Sequence, residues 1–391
     1  MSKTVSDLFG HAPTVSVFDY KRRVPCVNPN LIIGLELETE NCPRYGSKTL
    51  DPSVVEKLGI RVDNDNSLRG VAFEFITMPM QTACAIPVLE DFFKHTQFND
   101  TNYTDRCSVH IHVNCLNLTP EQLVGLSLLY SIFEEVFFEF VGHDRDSNIY
   151  CIPWSHCRHN MEFARQFLMD PPNVARHWQK YTALNLLPLR TQGTVEFRHM
   201  HGTADMLKLS QWINMIGGMF QYIEKNSLDD IIKEVLELNT SSHYEKFFTQ
   251  VLPQTLAYTN LYQQKLEDGV ILAKYGLINY FNKKPKVGGA TEAVVFHNDI
   301  VDPLQDIPSP PNMIRPAGRG IREALRPARD EATFETARNS IRQGNPITWS
   351  NVAVNWARAN TEMTEEEMNR ILDAAVHVTM PAAAIPPTER F

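Results

Sequence analysis

The sequence lacks an uninterrupted apolar run of membrane-spanning length, and its first residues lack the apolar core of a secretory signal peptide. These two absences predict a cytoplasmic protein that does not insert into a membrane. An excess of positive charge is also missing, because the formal net charge is −9. A nucleic-acid partner is therefore not expected.

The sequence also lacks a cysteine pattern typical of a disulfide scaffold. Its seven cysteines are an odd number in a long chain and are better explained as mostly buried thiols. One cluster, formed by Cys151, His156, Cys157 and His159, offers zinc ligands at close spacing. It matches no standard zinc-finger spacing, so a plain loop with half-buried polar rings is the favoured interpretation.

The most informative stretch is residues 31–40, which alternates apolar and acidic side chains. In a β-strand, alternate side chains share a face, so Glu36, Glu38 and Glu40 point to one side, opposite a row of aliphatic residues. No lysine offsets these carboxylates. Two interpretations stay open for this stretch alone: a site for a divalent cation, or the solvent face of an edge strand, where charge opposes aggregation.

Three further segments alternate in the same way and favour the cation site. Their polar faces carry no lysine, although exposed sheet faces are normally mixed. The segments are 71–77 with Glu74, 106–114 with His110 and His112, and 194–200 with Glu196 and Arg198. Carboxylates, imidazoles and one guanidinium are the groups that a metal–nucleotide site requires. An exposed Glu196–Arg198 ion pair is the alternative for the last segment.

The remaining pattern is mainly helical. Capping signals and apolar spacing predict helices over 51–59, 80–97, 119–140 and 204–224, with further helical segments to about 278. In the third of these helices, Glu134 is expected on a solvated face, and Arg145 follows in a basic loop that either guides an anionic substrate or coats the surface. The domain boundaries we predict are an irregular lead-in at 1–30, a catalytic domain at 31–300, a Pro/Arg-rich linker at 301–329 and a helical tail at 330–391.

Taken together, the motifs resemble the amidoligase branch of the carboxylate–amine ligases, which are related to glutamine synthetase and glutamate–cysteine ligase. The resemblance spans roughly residues 31–225. The residues that carry it are Gly34-x-Glu36-x-Glu38, Asp65-x-Ser67, Glu74-Phe75-Ile76-Thr77-x-Pro79, Ser108-Val109-His110-Ile111-His112-Val113, and Val195-Glu196-Phe197-Arg198 with Gly202-Thr203. Asn66 and Phe75 depart from the common family pattern. Such amidoligases often occur in bacteriophage genomes, so a phage-encoded protein in the host cytoplasm is compatible with the resemblance.

The resemblance implies an α+β fold in which an antiparallel sheet has a polar, concave active-site face, helices pack behind it, and a small helical appendage follows at the C-terminus. That face would hold ATP and two or three Mg²⁺ ions, with Mn²⁺ as a substitute. The implied metal ligands are Glu36, Glu38, Glu74, His110 or His112, and Glu196. Arg198 matches the arginine that contacts the transferring phosphate, and Asp65 and His110 are further catalytic candidates. The nucleotide-contact candidates are His112, Arg198, Lys180, Asn185 and Ser67.

The function expected from these residues is ATP-dependent formation of an amide bond through an acyl phosphate. The substrates would be a small-molecule or peptide carboxylate and an amine, and the tail is a candidate contact for a homo-oligomer or a protein partner. Two other classes stay open: a metal-dependent hydrolase that uses the same polar face, and a non-catalytic phage assembly or DNA-associated protein that retains the fold.

Overall fold

The computed structural model describes residues 3–282, except 44, 48–49, 65–67, 143–144, 157–161 and 254–255. The predicted linker at 301–329 and the helical tail at 330–391 therefore lie outside the described residues. The same is true of Asp65 and Ser67, and of Cys157 and His159 in the candidate zinc cluster.

The described strands form one antiparallel sheet in the order β2-β3-β1-β5-β7-β6, with β4 paired to β1. They are β1 (Ile32–Thr39), β2 (Ile60–Asp63), β3 (Phe73–Thr77), β4 (Met80–Gln81), β5 (Ser108–Asn114), β6 (Leu184–Asn185) and β7 (Thr194–His201). The four strands predicted from alternation are β1, β3, β5 and β7, and they are consecutive in the sheet. β1 is thus a central strand, so the edge-strand interpretation of its acidic face is wrong.

The helices of the described segments follow the capping signals closely. They are α1 (Val5–Phe9), α2 (Pro52–Lys57), α3 (Thr82–Thr96), α4 (Pro120–Val141), α5 (Glu162–Met169), α6 (Pro171–Arg176), α7 (Met206–Lys225), α8 (Leu228–Glu237), α9 (Ser241–Val251) and α10 (Asn260–Asn282). At the start of α4, the Thr119 side chain accepts from the Gln122 N–H and the Gln122 side chain accepts from the Thr119 N–H. This is the predicted capping box, with Pro120 in the first turn. Helix α1 falls within the lead-in, which we expected to be irregular.

One face of the sheet packs against helices and forms the hydrophobic core. Leu35, Ile111 and Phe197 have no exposed surface, and they lie on the apolar face of β1, β5 and β7. Helix α3 contacts β1, while α4 contacts β7 and α7. The Trp212 ring of α7 lies 6.4 Å from the Phe197 ring, measured between centroids. Burial of these apolar side chains fixes which face of each strand points away from the helices.

Helix α10 packs along α4. Helix α4 has buried residues around most of its circumference, including Glu134, which is 2% exposed. The prediction of a solvated face for Glu134 is wrong because the segment that begins at Trp154 covers its carboxylate, to which the Trp154 and Ser155 N–H groups donate. No helix among the described residues has both the length and the apolar character needed to cross a membrane.

Candidate functional site

The polar residues predicted in β1, β3, β5 and β7 lie on the face of the sheet that points away from the core. The antiparallel register places Glu38 beside Glu74, and Glu36 beside His110. It also places His112 beside Glu196. Because neighbouring strands lie about 5 Å apart, this register brings residues from distant parts of the sequence within contact of one another.

The first group of candidate metal ligands is Glu36, His110 and Glu196, whose ligand atoms all lie within 4.8 Å of one another. The His110 Nδ1 atom is 3.2 Å from a Glu36 carboxylate oxygen and 3.3 Å from a Glu196 carboxylate oxygen. His112 adjoins this group, since its Nε2 atom is 3.1 Å from the second Glu36 oxygen. The Nδ1 atom of His112 lies 3.1 Å from the Thr194 hydroxyl.

The second group is Glu38, Glu74 and His110, again with ligand atoms within 4.8 Å of one another. Glu38 is 5% exposed, and its carboxylate accepts hydrogen bonds from the Ser108 N–H at 2.8 Å and from the Ser108 hydroxyl. The same hydroxyl lies 2.7 Å from His110 Nε2. His110 therefore belongs to both groups, with Ser108 linking it to Glu38.

The electrostatics of the first group keep its carboxylates charged despite their burial. For Glu36, burial raises the pKa, but the hydrogen bonds from His110 and His112 outweigh this and hold the pKa below its usual value. Burial also opposes ionisation of Glu196, and the charges of His110 and Arg198 hold its pKa below the ordinary range. Burial acts to lower the pKa of His112. The hydrogen bond with Glu36 and the negative charges of Glu36 and Glu196 together outweigh burial, so the pKa of His112 is raised. Charged carboxylates are what a cation needs as ligands.

Arg198 lies at one side of the first group and is 8% exposed. Its Nη1 atom donates to a Glu196 carboxylate oxygen, and its Nε atom donates to the Tyr150 carbonyl at 3.1 Å. Glu196 is 4% exposed, so the exposed ion-pair interpretation of this segment is wrong. The guanidinium is held beside the carboxylates instead of being displayed on the surface.

Two predicted nucleotide contacts occupy different surroundings. Asn185 is buried beside Glu196: its amide nitrogen donates to a Glu196 oxygen at 2.7 Å, and its amide oxygen accepts from the Leu187 N–H at 3.0 Å. These bonds orient Glu196. Lys180 is exposed, and its Nζ atom lies 5.5 Å from the centre of the Tyr181 ring.

For two residues beside the site, the sequence did not predict the contacts that they make. Glu40 shares the acidic stripe but accepts a hydrogen bond from the Arg69 N–H at 2.6 Å and one from the Thr104 hydroxyl at 2.8 Å. It therefore holds the loop that precedes β3. Arg145 is buried and bonds to the carbonyls of Arg198 and His199. The position of Arg145 in a basic loop did not indicate that it is buried. The two-residue spacing between Glu38 and Glu40 did place Glu40 on the polar face.

Residues 49–218 match the family model described as "Putative amidoligase enzyme". The match covers less than half of the chain and supports similarity to an amidoligase family. It includes β3, β5 and β7, and it begins after β1, which supplies Glu36 and Glu38.

Other comparisons add little. None of the curated proteins matches the chain. Among solved structures, one described as "Crystal structure of novel glutamine synthase homolog" matches at 14% identity, covering 62% of this chain and 67% of that chain, with a TM-score of 0.29. A TM-score at this level does not establish a shared fold. The comparisons do not bear on a phage origin.

Proposed function

We propose that the protein is an ATP-dependent carboxylate–amine ligase that forms an amide bond through an acyl-phosphate intermediate. The observation that carries the proposal is the convergence of two groups of metal-ligand atoms, which share His110, beside the guanidinium of Arg198. The similarity of residues 49–218 to an amidoligase family supports the same chemistry.

The donor set fits divalent cations. Glu36, His110 and Glu196 would hold one ion, and the carboxylates of Glu38 and Glu74 a second. Carboxylate oxygens suit both Mg²⁺ and Mn²⁺. When bound, the ions would supply positive charge that offsets the charge of the ATP phosphates. Ser108 and Asn185 keep Glu38 and Glu196 oriented for this role through hydrogen bonds.

In the first proposed step, an oxygen of the substrate carboxylate forms a bond to the γ-phosphorus of ATP, and the bond from that phosphorus to the β–γ bridging oxygen breaks to release ADP. Arg198 donates hydrogen bonds to the transferring phosphoryl group, where negative charge accumulates. Its contacts with Glu196 and Tyr150 fix the guanidinium before the reaction. The low exposure of the arginine limits competition from water.

In the second proposed step, the amine nitrogen bonds to the acyl carbon and inorganic phosphate leaves with the electrons of the broken C–O bond. The ammonium form of the substrate must lose a proton before its nitrogen can attack, and Asp65 is the proposed base that takes this proton. Lys180, Ser67 and His112 are the proposed contacts for nucleotide or substrate. Asp65 and Ser67 precede Arg69 in the sequence, and the Arg69 N–H donates to Glu40.

The test is Mg²⁺-dependent formation of ADP with pools of amino acids, polyamines and peptides. Wild type is compared with Glu38→Ala and Arg198→Ala, and with the matched controls Glu90→Ala and Arg22→Ala, which break a half-exposed ion pair behind the sheet. We expect ADP formation to require both an acid and an amine. Loss of Arg198 should slow turnover about 100-fold, the usual effect of removing a transition-state donor, while nucleotide binding weakens less.

Three outcomes contradict the proposal. Product release from amides or phosphate esters without ATP would indicate the hydrolase. Absence of Mg²⁺-dependent ATP binding would indicate the non-catalytic derivative. Equal activity in the site variants and the controls would show that the polar face is not the active site.

A further inference from the structure

Strand β7 contains a bulge directly beside the candidate site. Val109 of β5 pairs with Met200, whereas Ile111 pairs with Phe197. His110, between them, therefore has two residues of β7 opposite it, Arg198 and His199. A bulge of this kind removes backbone groups from the regular ladder, and buried carbonyls then need other donors.

Arg145 supplies those donors. It begins the short 3-10 helix Arg145–Ser147 and is 2% exposed. Its Nε atom donates to the His199 carbonyl at 2.8 Å, and its Nη2 atom donates to the Arg198 carbonyl at 2.8 Å. Successive carbonyls of a regular strand point in opposite directions. The planar guanidinium reaches both because the bulge turns them to the same side.

The segment that carries Arg145 also holds the other end of Arg198. The Tyr150 carbonyl, five residues later, accepts a hydrogen bond from the Arg198 Nε atom at 3.1 Å. Arg198 is thus fixed at its main chain by the Arg145 side chain and at its guanidinium by the Tyr150 main chain. The guanidinium also donates to Glu196, itself a candidate metal ligand.

We infer that Arg145 is a positioning residue: it stabilises the β7 bulge and thereby aims the Arg198 guanidinium at the phosphoryl group to be transferred. The phosphoryl part of this inference rests on the proposed function. Arg145 lies behind Arg198 and acts only through it. A lysine at position 145 keeps the positive charge but offers no fork of donors for two carbonyls.

The experiment compares wild type with Arg145→Lys, and with Arg22→Lys as a control. Arg22 also donates to two acceptors, Glu90 and Asp91, on the surface behind the sheet. Affinities for a non-hydrolysable ATP analogue and for ADP are measured with Mg²⁺. We expect Arg145→Lys to lose about ten-fold in its preference for the triphosphate, the equivalent of one charged hydrogen bond. Arg22→Lys should keep the wild-type preference.

A double-mutant cycle separates positioning from general structural support. In an Arg198→Ala background, Arg145→Lys should cause no further change in the preference for the triphosphate, because the guanidinium that Arg145 positions is absent. Additive losses would overturn the inference. A lysine variant that fails to fold, or that loses affinity for both nucleotides equally, would show that Arg145 is structural only, and this too overturns it.

A second readout needs no nucleotide. Hydrogen exchange of backbone amides in 197–201 should accelerate in Arg145→Lys, while amides of β1 and β3 keep wild-type rates. Uniform acceleration, or none, contradicts the positioning role. If wild type binds neither nucleotide, the ligase proposal fails, and the exchange data alone decide whether Arg145 fixes Arg198.

Discussion

At the scale of single residues, Glu134 differs most from its expected environment. It is fully enclosed on α4, where its carboxylate accepts hydrogen bonds from the Trp154 N–H at 2.5 Å, the Ser155 N–H at 2.9 Å and the Tyr130 hydroxyl at 2.7 Å. Burial raises its pKa to about 7, although these three donors act in the opposite direction. Glu134 therefore links α4 to the segment that begins at Trp154.

The raised pKa of Glu134 predicts a pH dependence of stability. The folded state binds this proton more tightly than the unfolded state does, whose pKa is the ordinary 4.5. The stabilising contribution is therefore complete below about pH 4.5 and is lost as the pH rises through about 7. Glu134→Gln, which cannot ionise, should gain about 1–3 kcal/mol relative to wild type between pH 5 and pH 8.

Urea unfolding of both proteins at several pH values measures this difference. Taking the difference between the two curves removes the contribution of every group that the two proteins share. A constant gap between variant and wild type across this pH range would contradict the raised pKa.

At the scale of elements, two adjacent glycines of α7 have different surroundings. A Cβ atom on Gly218 would lie 2.3 Å from the Val251 carbonyl oxygen at the end of α9, whereas one on Gly217 would come no closer than 3.5 Å to Asn28. Gly218→Ala should therefore destabilise the protein by about 1–3 kcal/mol, because the α7–α9 contact must open. Gly217→Ala should be neutral or stabilise by up to about 1 kcal/mol through helix propensity.

Denaturant midpoints of the two alanine variants test this pair. The same substitution in the same helix controls for propensity, so the difference between them reports the contact with α9. Equal stabilities would show that α7 and α9 are not as close as described.

The elements of the site could be predicted because their sequence signals are local. Two-residue alternation assigned Glu36, Glu38, Glu74, His110 and Glu196 to polar strand faces, and the Thr119–Gln122 pair marked the start of α4. The bulge in β7 could not be predicted, since one extra residue leaves the local pattern of Val195 to His199 unchanged. The burial of Arg145 and Glu134 was also missed, because it depends on segments that are distant in sequence and pack over them.

At the scale of the whole molecule, the proposed function predicts that a cation bound by the acidic groups of the site increases stability. A cation that binds only the folded state stabilises it, by about 2.7 kcal/mol at one hundred times its dissociation constant. We expect Mg²⁺ to raise the melting temperature and chelation to reverse the rise. Glu38→Gln should reduce the effect, because Glu38 belongs to one of the two ligand groups, while Glu90→Gln on the opposite surface should not.

Thermal unfolding with and without Mg²⁺ provides the measurement. An equal rise in both variants would place the cation elsewhere on the protein and remove the basis for the two ligand groups.

The strand order has a consequence for synthesis of the chain. Glu36 and Glu38 leave the ribosome early. Glu196 and Arg198 belong to β7, which ends at His201 and pairs with β5, the neighbour of β1 in the sheet. Until that strand has been translated, the first carboxylates stay hydrated and lack their later neighbours. The nascent protein thus cannot complete the group formed by Glu36, His110 and Glu196 until more than half of the polypeptide has been made.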